Sequence, residues 1–231
     1  MSEQILNNTS FGTGVDLQDR NRVLRNTYWL LALSLIPTVL GAWLGVSTGI
    51  TKAFMGGWMG LVVFMGGAFV FMYAIEKTKN SAAGLPVLLA FTFFMGLMLS
   101  SLIARVLGFK NGPSLVMTAF GGTAGVFFVM ASLASVIKRD LSGMGKWLFV
   151  GAIVLMIGSV VGVLVGSSAM MIAVSVMAIG IFSAYMLYDL KQIIDGGETN
   201  YISATLSLYL DIFNVFQSLL SLLGIFGGEK D

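Results

Sequence analysis

Apolar residues in this chain gather in runs of about twenty, parted by short polar breaks, and that spacing decides what the chain can become. The runs cover residues 27–44, 53–74, 85–103, 114–137, 147–165, 170–188 and 202–225. Each comes close to the ~20 residues with which an α-helix, rising ~1.5 Å per residue, crosses ~30 Å of hydrocarbon. The predicted fold is all-α, a polytopic membrane protein of seven transmembrane helices. Only Gly166-Ser167-Ser168 separates the fifth run from the sixth, and unsplit they are too long for one crossing. Six spans with a re-entrant segment is the competing count.

The outer surface agrees. Only 10% of residues are charged and 57% are hydrophobic, whereas a soluble domain carries roughly 25% charged residues. Most of the surface must therefore face lipid. The formal net charge of +2 points to no nucleic-acid partner. The chain has no Cys and no His, which removes thiol chemistry, the usual metal ligands and the usual physiological proton switch. No cofactor is expected, and proton or cation chemistry falls to carboxylates.

Polarity divides the chain into a tail at 1–26, a seven-helix domain at 27–226 and a short tail at 227–231. The first segment carries Asn7, Asn8 and Thr9, then Asp16, Asp19, Arg20, Arg22 and Arg25. It lacks the order of a signal peptide and reads as an exposed tail leading into a basic anchor. Gly112-Pro113, Gly143, Gly145 and Gly196-Gly197 punctuate the connections. Trp29, Trp43, Trp58 and Trp147 lie near span ends, as interfacial aromatics do. With the N-terminus inside, nine Lys and Arg fall on inner segments (Arg20, Arg22, Arg25, Lys77, Lys79, Lys138, Arg139, Lys146, Lys191) and four on outer ones (Lys52, Arg105, Lys110, Lys230). The positive-inside rule then predicts a cytoplasmic N-terminus and an external C-terminus. Gly41/Gly45, Gly56/Gly60, Gly121/Gly125 and Gly158/Gly162 share the four-residue spacing of close helix packing, read here as packing within the bundle.

Asp211 carries the most information. It lies about 13 Å into the last span by helical rise, where an ionisable side chain is costly and faces the bundle interior or a water-filled cavity. Ser203, Ser207, Asp211, Asn214, Ser218 and Ser221 share an arc of about 80° on that helix. Such a stripe must be hidden from lipid, so Ser207, Asn214 and Ser218 are predicted to line a pore or to bond between helices. Asp189 ends the sixth span on the antiparallel neighbour, and Asn200 stands midway between the two carboxylates in sequence. If they meet, they cannot both ionise cheaply and must share a proton. Together they would sense protons, and when ionised they offer oxygen ligands to a hard cation such as Ca²⁺ in transit. Lys77 and Lys79 end the second span on the same side. Gly196 or Gly197 should end the sixth helix and Thr199 or Asn200 should cap the seventh. Asp195 and Glu198 read as solvated, or as an acidic entrance.

Residues 193–202, running Ile-Ile-Asp-Gly-Gly-Glu-Thr-Asn-Tyr-Ile, are followed by Ala204-Thr205, Ser207-Leu208-Tyr209 and Ser218-Leu219-Leu220. This pattern resembles the Bax-inhibitor-motif (TMBIM) family, most of all its bacterial YccA-like branch. Val23-Leu24-Arg25-Asn26-Thr27-Tyr28 and Gly121-Gly122-Thr123-Ala124 are similar to that branch too. The resemblance implies a seven-helix fold with the last helix central, in the inner (plasma) membrane of a bacterium. It also implies two candidate activities. Calcium-leak members use an aspartate on each of the last two long helices as a pH-sensing pair, and Asp189 and Asp211 match them. The basic latch of such members has no Arg here, and Lys77 is a loose substitute. The YccA-like branch instead implies a modulator that binds a membrane-bound FtsH-like AAA protease directly, without transport.

Catalysis is not expected. Intramembrane aspartyl proteases carry Gly-x-Gly-Asp and Pro-Ala-Leu, whereas Leu208-Tyr209-Leu210-Asp211 stands here and no Pro-Ala-Leu follows. The expected function is a pH-sensitive calcium leak, with protease modulation as the alternative.

Overall fold

Inside hydrocarbon a backbone amide has only other backbone groups to bond, so each apolar run closes its hydrogen bonds as a helix. The computed structural model describes residues 17–50 and 58–229, which form seven helices and no strand. These are α1 (Leu17–Thr48), α2 (Trp58–Thr78), α3 (Gly84–Leu107), α4 (Gly112–Val136), α5 (Met144–Val165), α6 (Ser168–Asp195) and α7 (Tyr201–Phe226). Six are long and apolar enough to cross a membrane. The other, α2, has 21 residues, about 30 Å at the α-helical rise. The polar stretch 1–16, Lys52, residues 53–57 of the predicted second span with Gly56, Lys230 and Asp231 lie outside the described residues.

Helix ends depart from the hydropathy edges for a physical reason. Polarity marks where hydrocarbon stops, but a helix runs on until something breaks it. Hence α1 is already helical at Leu17, so that Arg20, Arg22 and Arg25 stand on helix rather than in a tail. Likewise α6 continues past Asp189 to Asp195 and stops at Gly196, whose φ of 82° is open to glycine. The α5–α6 break falls where the sequence puts it. Gly166 closes α5 with a φ of 66°, and the Ser167 hydroxyl accepts the Met170 amide at 3.3 Å.

The last helix is central: α7 packs on α1, α3, α4 and α6. Tyr209, 1% exposed, anchors it, with its hydroxyl 2.8 Å from that of Thr38 on α1 and its ring against Phe91 of α3. The α1–α3 contact is made backbone to backbone. A Cβ on Gly96 would strike the Thr38 carbonyl, and one on Gly41 would strike that of Phe93. Gly45 lies in the same contact, against Ser100, while Gly158 and Gly162 face α6 through Val174 and Met171. Gly121 and Gly125 have open space before them.

Both ends of α7 are tied by asparagines. The Asn200 side-chain oxygen accepts the amides of Ile202 and Ser203 at 2.9 and 3.1 Å, and its nitrogen donates to the Lys79 carbonyl and to Asn80 in the α2–α3 turn. At the far end Asn111, before α4, donates to the Gly227 carbonyl at 2.6 Å and accepts the Glu229 amide. Replacing Asn200 with alanine removes a cap and these cross-turn bonds together. It is expected to lower stability by about 2 kcal/mol, read as a fall in Tm in detergent. Asn200→Ser, which retains the cap alone, should fall between.

The outer surface is apolar. Trp29, Trp43, Phe69, Val70, Phe128, Trp147, Leu164 and Val165 are all exposed, as a lipid-facing wall requires. The basic residues read from the sequence gather at one end, where Arg20 lies against Gly196 and Asn200 reaches the Lys79 carbonyl. Arg105 and Lys110 lie at the other.

Candidate functional site

The hairpin of α6 and α7 sets the site. Gly196 and the Asn200 cap fix the turn, so residues equally distant from it face each other across two antiparallel helices. Asp189 and Asp211 are such residues, and their carboxyl groups come within hydrogen-bonding reach of each other. Asp211 is 4% exposed, and no amide, hydroxyl or amine of the described residues donates to its Oδ2. Two carboxyl groups bond to each other only when one of them carries a proton.

A cavity of about 310 Å³ reaches Asp189 of the pair. Asp189, Tyr188 and Gln192 of α6, Ala204 and Ser207 of α7, and Glu198 of the turn line it. Asp211 lies one helical turn beyond Ser207. The Glu198 carboxylate is held by the Asn200 amide at 2.7 Å and is close enough to Asp189 to repel its charge. Tyr185 stands within electrostatic range of both aspartates.

The other residues singled out in the sequence separate. Ser207 lines the cavity, Ser218 is buried, and Asn214 is half-buried with its amide turned back on the Leu210 carbonyl at 2.7 Å. Of the two acids in the turn, only Glu198 reaches the cavity. Asp195 instead binds Lys191 at 2.6 Å, and that lysine is 8% exposed. Lys77 is not brought to the pair: it is exposed, with its ammonium 5.6 Å from the centre of the Tyr73 ring. Among the described residues no group of three or more His, Cys, Asp or Glu side chains is placed to hold a metal ion. Sequence reasoning missed Tyr185 and Gln192. Both lie about one turn from Asp189 on α6, so the helical period around that residue was the signal for them.

Fold and site together define a polytopic helical membrane protein with a carboxyl pair enclosed between its last two helices. Residues 20–228 match the family model described as inhibitor of apoptosis-promoting Bax1, and the chain belongs to that family. A Vibrio cholerae protein named only as an uncharacterized membrane protein is 35% identical over 207 residues, covering 90% of this chain and 91% of that one. The Escherichia coli K12 protein named modulator of FtsH protease YccA is 36% identical over 208 residues, covering 90% and 92%. A protein of Escherichia coli O6:H1 with the same identity is named inner membrane protein YccA. The resemblance read at residues 23–28, 121–124 and 193–220 thus holds over almost the whole chain.

Proposed function

We propose that this protein is a pH-sensitive cation leak of the bacterial inner membrane, with calcium as a permeant ion and Asp189 and Asp211 as its proton-operated gate. One observation carries the reading: a carboxyl pair in mutual contact between two helices, one member of which, Asp189, lines a polar cavity. While a proton is shared, the hydrogen bond holds α6 to α7. Loss of that proton leaves two negative charges in a low-dielectric site, which repel and part the helices. The freed oxygens, with Glu198 and Ser207, then suit a hard cation in passage. By the positive-inside rule the cavity opens to the cytoplasm, with the N-terminus inside and the C-terminus outside.

The test is calcium flux into vesicles holding the purified protein. Wild type should conduct more as pH rises through the titration of the pair, and Asp211→Asn should lose that response. A wild-type protein that passes no cation at any pH would end this reading. A second reading is direct binding to an FtsH-like AAA protease without transport, favoured by the name of the Escherichia coli K12 relative. Absent flux together with co-purification of a membrane-bound protease would select it. Neither reading involves catalysis.

A further inference from the structure

One face of α7 is polar along most of its length and only partly covered by its neighbours. Ser203, Ser207, Leu210, Asn214, Gln217 and Ser221 follow one another at alternating steps of four and three residues, which keeps them in one strip of the helix surface. The strip turns away from Leu219, which meets Gly122 of α4, and from Tyr209, which is sealed in the apolar core. Ser203, Ser207, Asn214 and Ser221 are half-buried and Gln217 is exposed. None of the described residues offers the Gln217 amide a hydrogen bond, and it lies about 14 Å from the end of α7 by helical rise. An amide left bare to hydrocarbon at that depth costs several kcal/mol. The strip therefore meets something that forms hydrogen bonds, and its Ser207 end already opens into the cavity at Asp189.

We propose that this strip lines a narrow water-filled groove continuing the Ser207 cavity past the membrane midplane, with Gln217 as its deepest hydration point. A hydrated cation then travels along the flank of α7 and not through the dry centre of the bundle. The passenger rests on the transport reading above; the groove does not, and water access tests it alone.

The native chain has no cysteine, so a single introduced thiol reports without background. Gln217→Cys and the nearly isosteric Ser221→Cys are placed in vesicles and exposed on both faces to a charged, membrane-impermeant thiol reagent. The comparison is Val176→Cys, which is 56% exposed on α6 at a similar distance from the same end of the bundle. Such reagents attack the thiolate, which needs water to form, so the two groove thiols should label about tenfold faster or more. Rates for both no faster than for Val176→Cys would overturn the groove. Fast labelling in a protein that passes no calcium upholds the groove and removes the transport reading. Flux with slow labelling at both positions does the reverse.

Discussion

Asp189→Asn and Asp211→Asn are each expected to lower calcium flux about tenfold and to erase its pH dependence, and the double variant should be no worse than either. An asparagine amide donates to the remaining carboxylate whatever the pH, so the hydrogen bond between α6 and α7 becomes permanent. A bias of about 1.4 kcal/mol toward the closed arrangement is enough for the tenfold loss. In the double variant two amides bond to each other and nothing titrates. The three variants therefore share one phenotype, and this non-additivity marks residues that act as a unit. The measurement is dye-reported flux across a pH series at equal protein load. Losses that multiply in the double variant would mean two independent sites and would break the paired gate, whatever the single variants do.

Gly96→Val should damage the fold itself. A side chain there meets the Thr38 carbonyl, part of the main chain of α1, and no rotamer change can relieve a clash with backbone. Thr38 is fixed in turn, since its hydroxyl donates to the Ser34 carbonyl at 2.9 Å and meets that of Tyr209. Overpacking of a well-packed core costs about 1–3 kcal/mol, and a side chain driven against backbone lies at or beyond the top of that range. The expected result is a Tm lower by many degrees, or loss of a monodisperse species in detergent. Gly121→Val is the matched control, because a Cβ at Gly121 meets nothing within 4 Å. Equal melting of the two variants would remove the α1–α3 contact from the account of stability.

How much of this was legible in the chain differs by element. The spans were, because the thickness of hydrocarbon fixes how long an apolar run must be. Helix ends were not: α1 is already helical at Leu17 and α6 runs on to Asp195, because a helix need not stop where the hydrocarbon does. The pairing of Asp189 with Asp211 was legible, since the Asn200 cap sets the register of the hairpin and so which residues meet. The fate of Lys77 was not. The face a lysine at the end of α2 presents depends on the packing of α2, which is chiefly on α3, and on the nearby Tyr73 ring. Gln217 escaped because it falls just outside the arc from Ser203 to Asp211 that was read as the polar face. The helix α7 buries the Asp211 and Ser218 edge of that arc and leaves Gln217, beyond its other edge, uncovered.

The two asparagine ties on α7 restrict how any gate here can work. Asn200 fastens one end of the helix to the turn that precedes α3, and Asn111 fastens the other to the turn that follows it. A rod pinned at both ends to the same neighbour behaves as an axle: it twists in place but does not slide. Separation of the carboxyl pair must then come from α6 swinging away on its Gly196 hinge, so displacement should be sought in α6 while α7 keeps its height.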